Sequence, residues 1–419
     1  MALTAPGGDA VQAEGGATRS SSRRERLADA AAELFRRYGY PAVSVADIAA
    51  AVGVTGPALY RHFKGKQAIL AHVLLNGMDA LAAVVDEASV TFAGKPQKAL
   101  DRIVERQAEL SVAHRDISAL WRWQGMHLED ADRRRLRKRG GAMLGQWSQL
   151  LVRVRPGLSP ADADLLCWAA FSVFGSVAVH HASLPKRRFE QLLVTLADAV
   201  LSATLPTGAD DTEDAGGDES WRAVPAEPSR REELLSVATR LFHQRGFHAV
   251  SMEDIGAAAG MAGPSVYRHF DSKASIMLAA AYRMADGLEV DVRRALAAAT
   301  DPADALHRIV ASYVDFVANS DGVAMQYGQE LAAVAERHRT ELRKRQRDYV
   351  AHWVRLLRTL RPEVSEAQAR ITVHAALTVI NDLPRTRSVR TRPALAAELT
   401  ELAMTVLTAA GRTNVESPG

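Results

Sequence analysis

The chain has 419 residues, 47% hydrophobic and 24% charged, with a formal net charge of +3 and one cysteine, Cys167. That is room for two domains of about 200 residues, each with its own core. A lone thiol leaves out an internal disulfide and a cysteine-rich zinc site and suits a reducing cytoplasm. The balance is near neutral, so any basic surface must be local. No apolar run approaches the roughly 18 uncharged residues of a membrane span, so no membrane partner is expected.

Residues 1–20 are rich in Gly, Ala and Ser with no apolar signal-peptide core, and read as a disordered tail. From Arg23 to Tyr38, Leu27, Ala31, Leu34 and Phe35 recur at helical spacing, and Gly39 supplies a left-handed stop. Ser44-Val-Ala-Asp47 pairs an N-cap residue with an acidic partner three positions on, which opens a short helix through Ala51. Gly53 then turns the chain into a second short helix ending in Tyr60-Arg-His-Phe63, with Lys66 beyond it. Two short helices joined by a glycine turn and propped on a longer one form a helix-turn-helix.

The same head returns 207 residues later. Leu234, Ala238, Leu241, Phe242 and Gly246 repeat the first helix; Ser251-Met-Glu-Asp254 repeats the cap; Met261-Ala-Gly-Pro-Ser-Val-Tyr-Arg-His-Phe270 and Lys273 repeat the rest. Roughly half the positions in the window are identical, which marks an internal duplication. Packing alone accounts for Leu34, Phe35, Ile48 and Phe63. It does not account for an unchanged Tyr-Arg-His and lysine on what should be a variable exposed face.

Helix, then Ser-x-x-Asp-Ile-Ala, then Gly-Val-Thr-x-x-x-Leu-Tyr-x-His-Phe-x-x-Lys, resembles the DNA-binding domain of the TetR family of bacterial repressors. Two copies in one chain are similar to the tandem repressors of that family, a group that includes a regulator of a mammalian-cell-entry lipid-uptake operon. The resemblance implies an all-α fold of two tandem units. Each would have a three-helix head (21–70 and 229–277) and a helical effector and dimerisation domain (71–205 and 278–411). It further implies that Thr55, Gly56, Pro57 and Arg61 meet base edges in double-stranded DNA. Tyr60, His62 and Lys66 would hold phosphates, and Ser44 would cap the helix whose amides approach the backbone. The corresponding residues of the second head are Gly263, Pro264 and Arg268; Tyr267, His269 and Lys273; and Ser251. Arginine suits guanine because its two donors match O6 and N7.

The heads differ at Thr55/Ala262, a change expected to remove a hydroxyl N-cap at a cost of about 1 kcal/mol. Lys64 becomes Asp271. Arg23–Lys66 carries eight Lys and Arg against four Asp and Glu, a net +4, whereas Arg230–Lys273 carries six against five, a net +1. Phosphate neutralisation drives affinity, so the first head is expected to bind DNA more tightly.

Beyond each head the pattern stays helical: 68–89, 98–112, 120–128, 132–155, 162–182 and 189–203. The duplication persists, since Trp147 matches Trp353 and Arg155-Pro156 matches Arg361-Pro362 at an offset of 206. The basic run Arg133–Arg139 reads as a solvated face. Residues 162–182 and 367–380 are apolar with many alanines. The family pairs such helices with another subunit, and here the two halves can supply each other; an internal core helix is equally compatible. Residues 206–228 lack periodicity, carry seven acidic residues and read as a flexible linker able to reach ~75 Å at ~3.3 Å per residue.

Aromatic and sulfur side chains gather in both effector domains. In the family a ligand cavity lies among these helices, which makes Trp121, Trp123, Met126, Trp168, Phe171, Tyr313, Met325 and Tyr327 candidate pocket residues for a small apolar effector, lipid-related in kind. Ordinary bundle core is the alternative for each. Trp147 and Trp353, being shared, read as core. No phosphate loop, nucleophile elbow or metal-spaced cluster occurs, and His180 and His181 read as surface residues, so neither catalysis nor a metal nor a cofactor is expected. The favoured reading is a one-chain pseudo-dimeric repressor on an imperfect palindrome, with pairing of two chains, and activation in place of repression, left open. A DNA-bridging architectural protein without effector control is the alternative.

Overall fold

The computed structural model describes residues 10–115, 120, 125–206, 229–319 and 334–409. Among them every regular element is helical. The predicted linker beyond Pro206, and Trp121, Trp123, Met325, Tyr327 and the side chain of Met126, lie outside the described residues. The chain divides into two compact units, 1–150 and 151–419.

In the first unit, α1 (Ala10–Tyr38), α2 (Val45–Ala51) and α3 (Gly56–Tyr60) form the head, and α4 (Lys66–Thr91) leads away from it. Helix α1 takes in residues 10–20, which composition had assigned to a tail; Ala10, Gln12, Ala13 and Glu14 favour helix locally. Gly39 (φ +80°) and Gly53 (φ +69°) make the two turns where a Cβ would be strained. Leu27, Phe35, Ile48, Leu59 and Ile69 are fully buried together, so one small core fixes all four helices. Helix α5 (Pro96–Ala113) packs on α4, and the Gln107 amide donates to Leu81 O at 3.3 Å. Helix α6 spans Asp130–Val154, and its basic run is largely solvated, as expected. Arg139 leaves the run to bond Asp79 of α4 at 2.6 Å.

The second unit begins with the last helices of the first copy, α7 (Pro160–Gly175) and α8 (Lys186–Leu201). The expected helix over 162–182 ends sooner, passing into a 3-10 turn at Ser176–Ala178. The second copy follows: head helices α9 (Arg230–Arg245), α10 (Met252–Ala258) and α11 (Gly263–Val266), then α12 (Lys273–Ala298), α13 (Pro302–Asn319), α14 (Glu336–Leu360), α15 (Glu366–Asp382), a short α16 (Arg387–Arg390) and α17 (Leu395–Ala409). Helices α7 and α8 pack on each other and against α15 and α17. The compact units therefore do not coincide with the two sequence copies. Ala163, Ala169 and Ala170 of α7, and Ala369, Ala375 and Ala376 of α15, are all buried, so small side chains bring these helix backbones close.

Two helical stretches, Lys66–Thr91 and Pro160–Ala178, do prove long and apolar enough to cross a membrane by length and composition, contrary to expectation. Half of the first window and 61% of the second is buried within the protein. Their apolarity reflects contact with several neighbours at once, α1 and α5 for the first and α8 and α15 for the second. His180 also departs from expectation: it is buried, with its ring 5.1 Å from that of His374, whereas His181 is exposed.

Candidate nucleic-acid interface

Each head is assembled from local signals. Ser44 Oγ accepts the Asp47 amide at 3.1 Å while the Asp47 carboxylate accepts the Ser44 amide at 2.8 Å, a reciprocal cap that sets the start of α2. Ser251 and Asp254 repeat it at 3.0 and 2.8 Å. The Ser44 hydroxyl also donates to the Asp47 carboxylate at 2.7 Å, and this bond, with that from the Ser44 amide, holds the Asp47 carboxyl below the usual carboxylate range.

The third helix of the head and the turn that follows it present the duplicated side chains. Tyr60 is 57% exposed and Tyr267 49%, so the duplicated tyrosine is open to solvent in both heads. Arg61, Arg268 and His269 are exposed beside them, and His62 is half-buried. Thr55, Pro57 and Pro264 are exposed at the start of the helix, with Gly56 and Gly263 half-buried. Leu59 and Phe63 point the opposite way into the core, as do Val266 and Phe270, so the helix is divided between an anchoring and a presenting face.

The expected Thr55 cap is not made. Thr55 occupies the N-cap position, but its side chain forms no cap hydrogen bond. Pro57 has no N–H to offer, and the Ala58 amide already bonds Thr55 O at 3.0 Å. Ala262 shows the same backbone arrangement, with the Ser265 amide on Ala262 O at 2.8 Å. The Thr55/Ala262 difference therefore removes a hydroxyl from the presenting face without removing a cap.

Lys66 and Lys273 have work inside the head. The Lys66 ammonium donates to Tyr40 O at 2.8 Å and lies 4.3 Å from the Tyr40 ring centroid. Lys273 donates to Phe247 O at 2.9 Å and lies 4.9 Å from the Phe247 ring. Each ties the first turn of the long helix to the segment between the first two head helices. The sequence reading missed a second duplicated clamp: Arg24 covers the Phe63 ring at 4.6 Å and Arg231 covers Phe270 at 4.3 Å. The signal was available, since both members recur at the 207-residue offset.

Of the candidate effector residues that are described, Tyr313 is buried, 5.9 Å from Trp353, and its hydroxyl pairs with Asn381. Trp168 and Phe171 are half-buried on α7, with ring centroids 6.3 Å apart. Trp147 and Trp353 are fully buried.

Sequence comparison with known proteins picks out the same two heads. A sequence profile described as "Bacterial regulatory proteins, tetR family" matches residues 27–73 and again 234–280. One described as "Tetracyclin repressor-like, C-terminal domain" matches 299–385. The chain is 38% identical over 103 residues to the HTH-type transcriptional activator FasR of Mycolicibacterium smegmatis, covering 25% of this chain and about half, 47%, of that protein. It is 31% identical over 153 residues to the HTH-type transcriptional repressor KstR2 of Rhodococcus jostii, covering 36% of this chain and 69% of that protein. The solved structure of the ketosteroid transcriptional regulator KstR2 of Mycobacterium tuberculosis overlaps 42% of this chain and 93% of its own, at 22% identity and a TM-score of 0.37.

Proposed function

The chain belongs to the TetR family of bacterial regulatory proteins, and on that premise we propose that it is a repressor binding one imperfect palindromic operator with two heads on a single polypeptide. The observation that carries this is the twice-built presenting face, Tyr60 with Arg61 and Tyr267 with Arg268, exposed in both heads above a buried anchor. In the major groove, Arg61 and Arg268 would read guanine while Tyr60, His62, Tyr267 and His269 would hold phosphates. The packing of α7 and α8 on α15 and α17 supports a pseudo-dimer made within one chain. The heads share Gly-Pro-x-x-Tyr-Arg-His-Phe but differ at Thr55/Ala262 and Ala58/Ser265, which supports half-sites that are similar and not identical.

Release by a small apolar effector is part of the same proposal, supported by the half-buried pair Trp168 and Phe171 on α7. A pocket shift of small size would alter head spacing and so couple ligand to DNA. The deciding experiment is a footprint of the purified chain on DNA flanking its own gene. One protected imperfect palindrome, with a protein-to-DNA ratio of one chain per site, supports the reading. Protection that spreads without sequence preference defeats it.

A further inference from the structure

The two effector domains share a register but not an interior. On α5 and α13, Lys98-Ala-Leu-Asp-Arg-Ile-Val104 aligns with Asp304-Ala-Leu-His-Arg-Ile-Val310 at an offset of 206. That register sets Gln107 against Tyr313, Leu110 against Phe316 and Ser111 against Val317. The same offset joins Trp147 to Trp353, and with it Met143 to Tyr349 and Ser148 to Val354. Gln107, Ser111, Met143 and Ser148 are buried, as are Tyr313, Val317, Tyr349 and Val354. The first copy thus buries amide, hydroxyl and thioether groups where the second buries rings and methyls.

In the second copy the interior is filled and its polar ends are paired. The Tyr313 ring lies 5.8 Å from Tyr349 and 5.9 Å from Trp353. Its hydroxyl accepts from Asn381 Nδ2 at 3.0 Å, and the same nitrogen donates to Leu377 O at 2.6 Å. In the first copy Gln107 Nε2 donates to Leu81 O at 3.3 Å, which fixes the orientation of the amide, since the reverse would set two carbonyl oxygens face to face. Its Oε1 is buried with no hydrogen-bond partner. The position of Asn381 is taken by Gly175, so the sequence supplies no counterpart of that amide. A buried acceptor left unpaired costs stability, and leucine at this position would avoid the cost. Helix packing differs as well: α14 packs closely on α12 and α13, whereas α6 makes no comparable close approach to α4 or α5.

We infer that the first copy alone senses the effector, and that the effector is a neutral apolar alcohol whose hydroxyl donates to Gln107 Oε1. The inference rests on the effector release proposed above and adds which half responds and what chemistry it reads. An alcohol supplies the proton that Oε1 lacks; an ether of the same shape has none, and a carboxylate would set a second acceptor against it. The second copy has no such need, because Tyr313 and Asn381 satisfy each other. Since Oε1 is buried, α5 and α6 must part for a ligand to reach it, and the looser approach of α6 together with the flexible Met143 side chain suits that opening. Helix α6 is tied to α4 by Arg139 on Asp79, so its movement pulls on the helix that leads from the first head.

The test is calorimetric titration of the full chain with 1-decanol and with 1-methoxydecane, its counterpart without a donor, and a thermal melt alongside. The wild type is expected to bind one decanol per chain and the ether about tenfold more weakly, the loss of one buried hydrogen bond. Gln107→Leu is expected to melt above the wild type, because the orphaned acceptor is gone, and to bind alcohol and ether alike. No decanol bound, two decanols per chain, or equal affinity for alcohol and ether in the wild type overturns the inference. So does a Gln107→Leu chain that keeps the preference for the alcohol or melts below the wild type. Should Gln107→Leu fail to fold, the wild-type stoichiometry and the alcohol-to-ether ratio decide. Decanol that binds as expected but leaves the operator footprint in place refutes effector release and spares the site. A footprint lost to the ether as readily as to decanol keeps effector release and refutes the Gln107 site.

Discussion

Lys66 Nζ sits 2.8 Å from Tyr40 O and above the Tyr40 ring, and Lys273 repeats the arrangement on Phe247. Burial lowers the Lys66 pKa, as befits an ammonium partly withdrawn from water. A lysine held this way stabilises the head before it serves any phosphate. Lys66→Met is therefore expected to lower the stability of the first head by about 1 kcal/mol. It should leave the salt dependence of DNA binding nearly unchanged. A fall of about one in the slope of log affinity against log salt, with no loss of stability, would return Lys66 to the phosphate-binding set.

Arg61→Ala is expected to weaken operator binding by about 1–3 kcal/mol and to relax preference at one base position. Arg268→Ala should do the same at the other half-site but with a smaller loss, because the second head carries a net +1 against +4 for the first. Fluorescence anisotropy on operators mutated in one half-site at a time, at fixed salt, measures both losses. Equal losses contradict the ranking of the heads.

Thr55→Ala should leave the melting temperature unchanged, since its hydroxyl caps nothing, and act only on DNA affinity. Ser44→Ala should cost about 1 kcal/mol, because its hydroxyl receives the Asp47 amide. Melting curves of the two variants, with and without operator, separate the roles. A stability loss at Thr55 equal to that at Ser44 would restore the cap that the sequence suggested.

Gly256 lies where a Cβ would stand 2.9 Å from Val266 Cγ2 and 3.1 Å from Met261 O. The first head has Ala49 in this place and Leu59 where the second has Val266, both within one buried cluster. Gly256→Ala should destabilise the second head by about 1–3 kcal/mol through overpacking, despite the better helix propensity of alanine. Hydrogen exchange in α10 and α11 reads that loss directly, and unchanged protection argues against the close approach.

His374 is held down to about 4 by burial first and by Arg370 second, while it stacks on His180. Its folded pKa lies below the ordinary 6.5, so the unfolded chain binds the extra proton between those two values. Stability from a neutral His374 is thus fully present above pH 6.5 and is lost as pH falls toward 4, by about 3 kcal/mol in total. Thermal melts from pH 7.5 to 4.5 should show a steeper decline for the wild type than for His374→Phe. Parallel curves would mean that the imidazole is solvated.

The sequence by itself determined the duplicated head, the Ser44 and Ser251 caps, the Gly39 and Gly53 turns and the exposed Tyr-Arg pairs. Each of these is a bond or a conformation set within three or four residues, or a periodicity that sorts one face inward. Composition could not place α4 and α7 in a protein interior, because a helix buried on several sides is as apolar as one in lipid. Tertiary structure alone decided what the long-range partners are: Lys66 on Tyr40, His180 on His374, and Arg392 on Asp162 across 230 residues of chain. Such contacts depend on which helices pack, and the packing energy is spread over many interchangeable apolar side chains that name no partner. The Thr55 hydroxyl shows the same limit at short range. A residue of the right type at the right position still loses its cap when a proline two places on removes the amide and the next amide is already bonded.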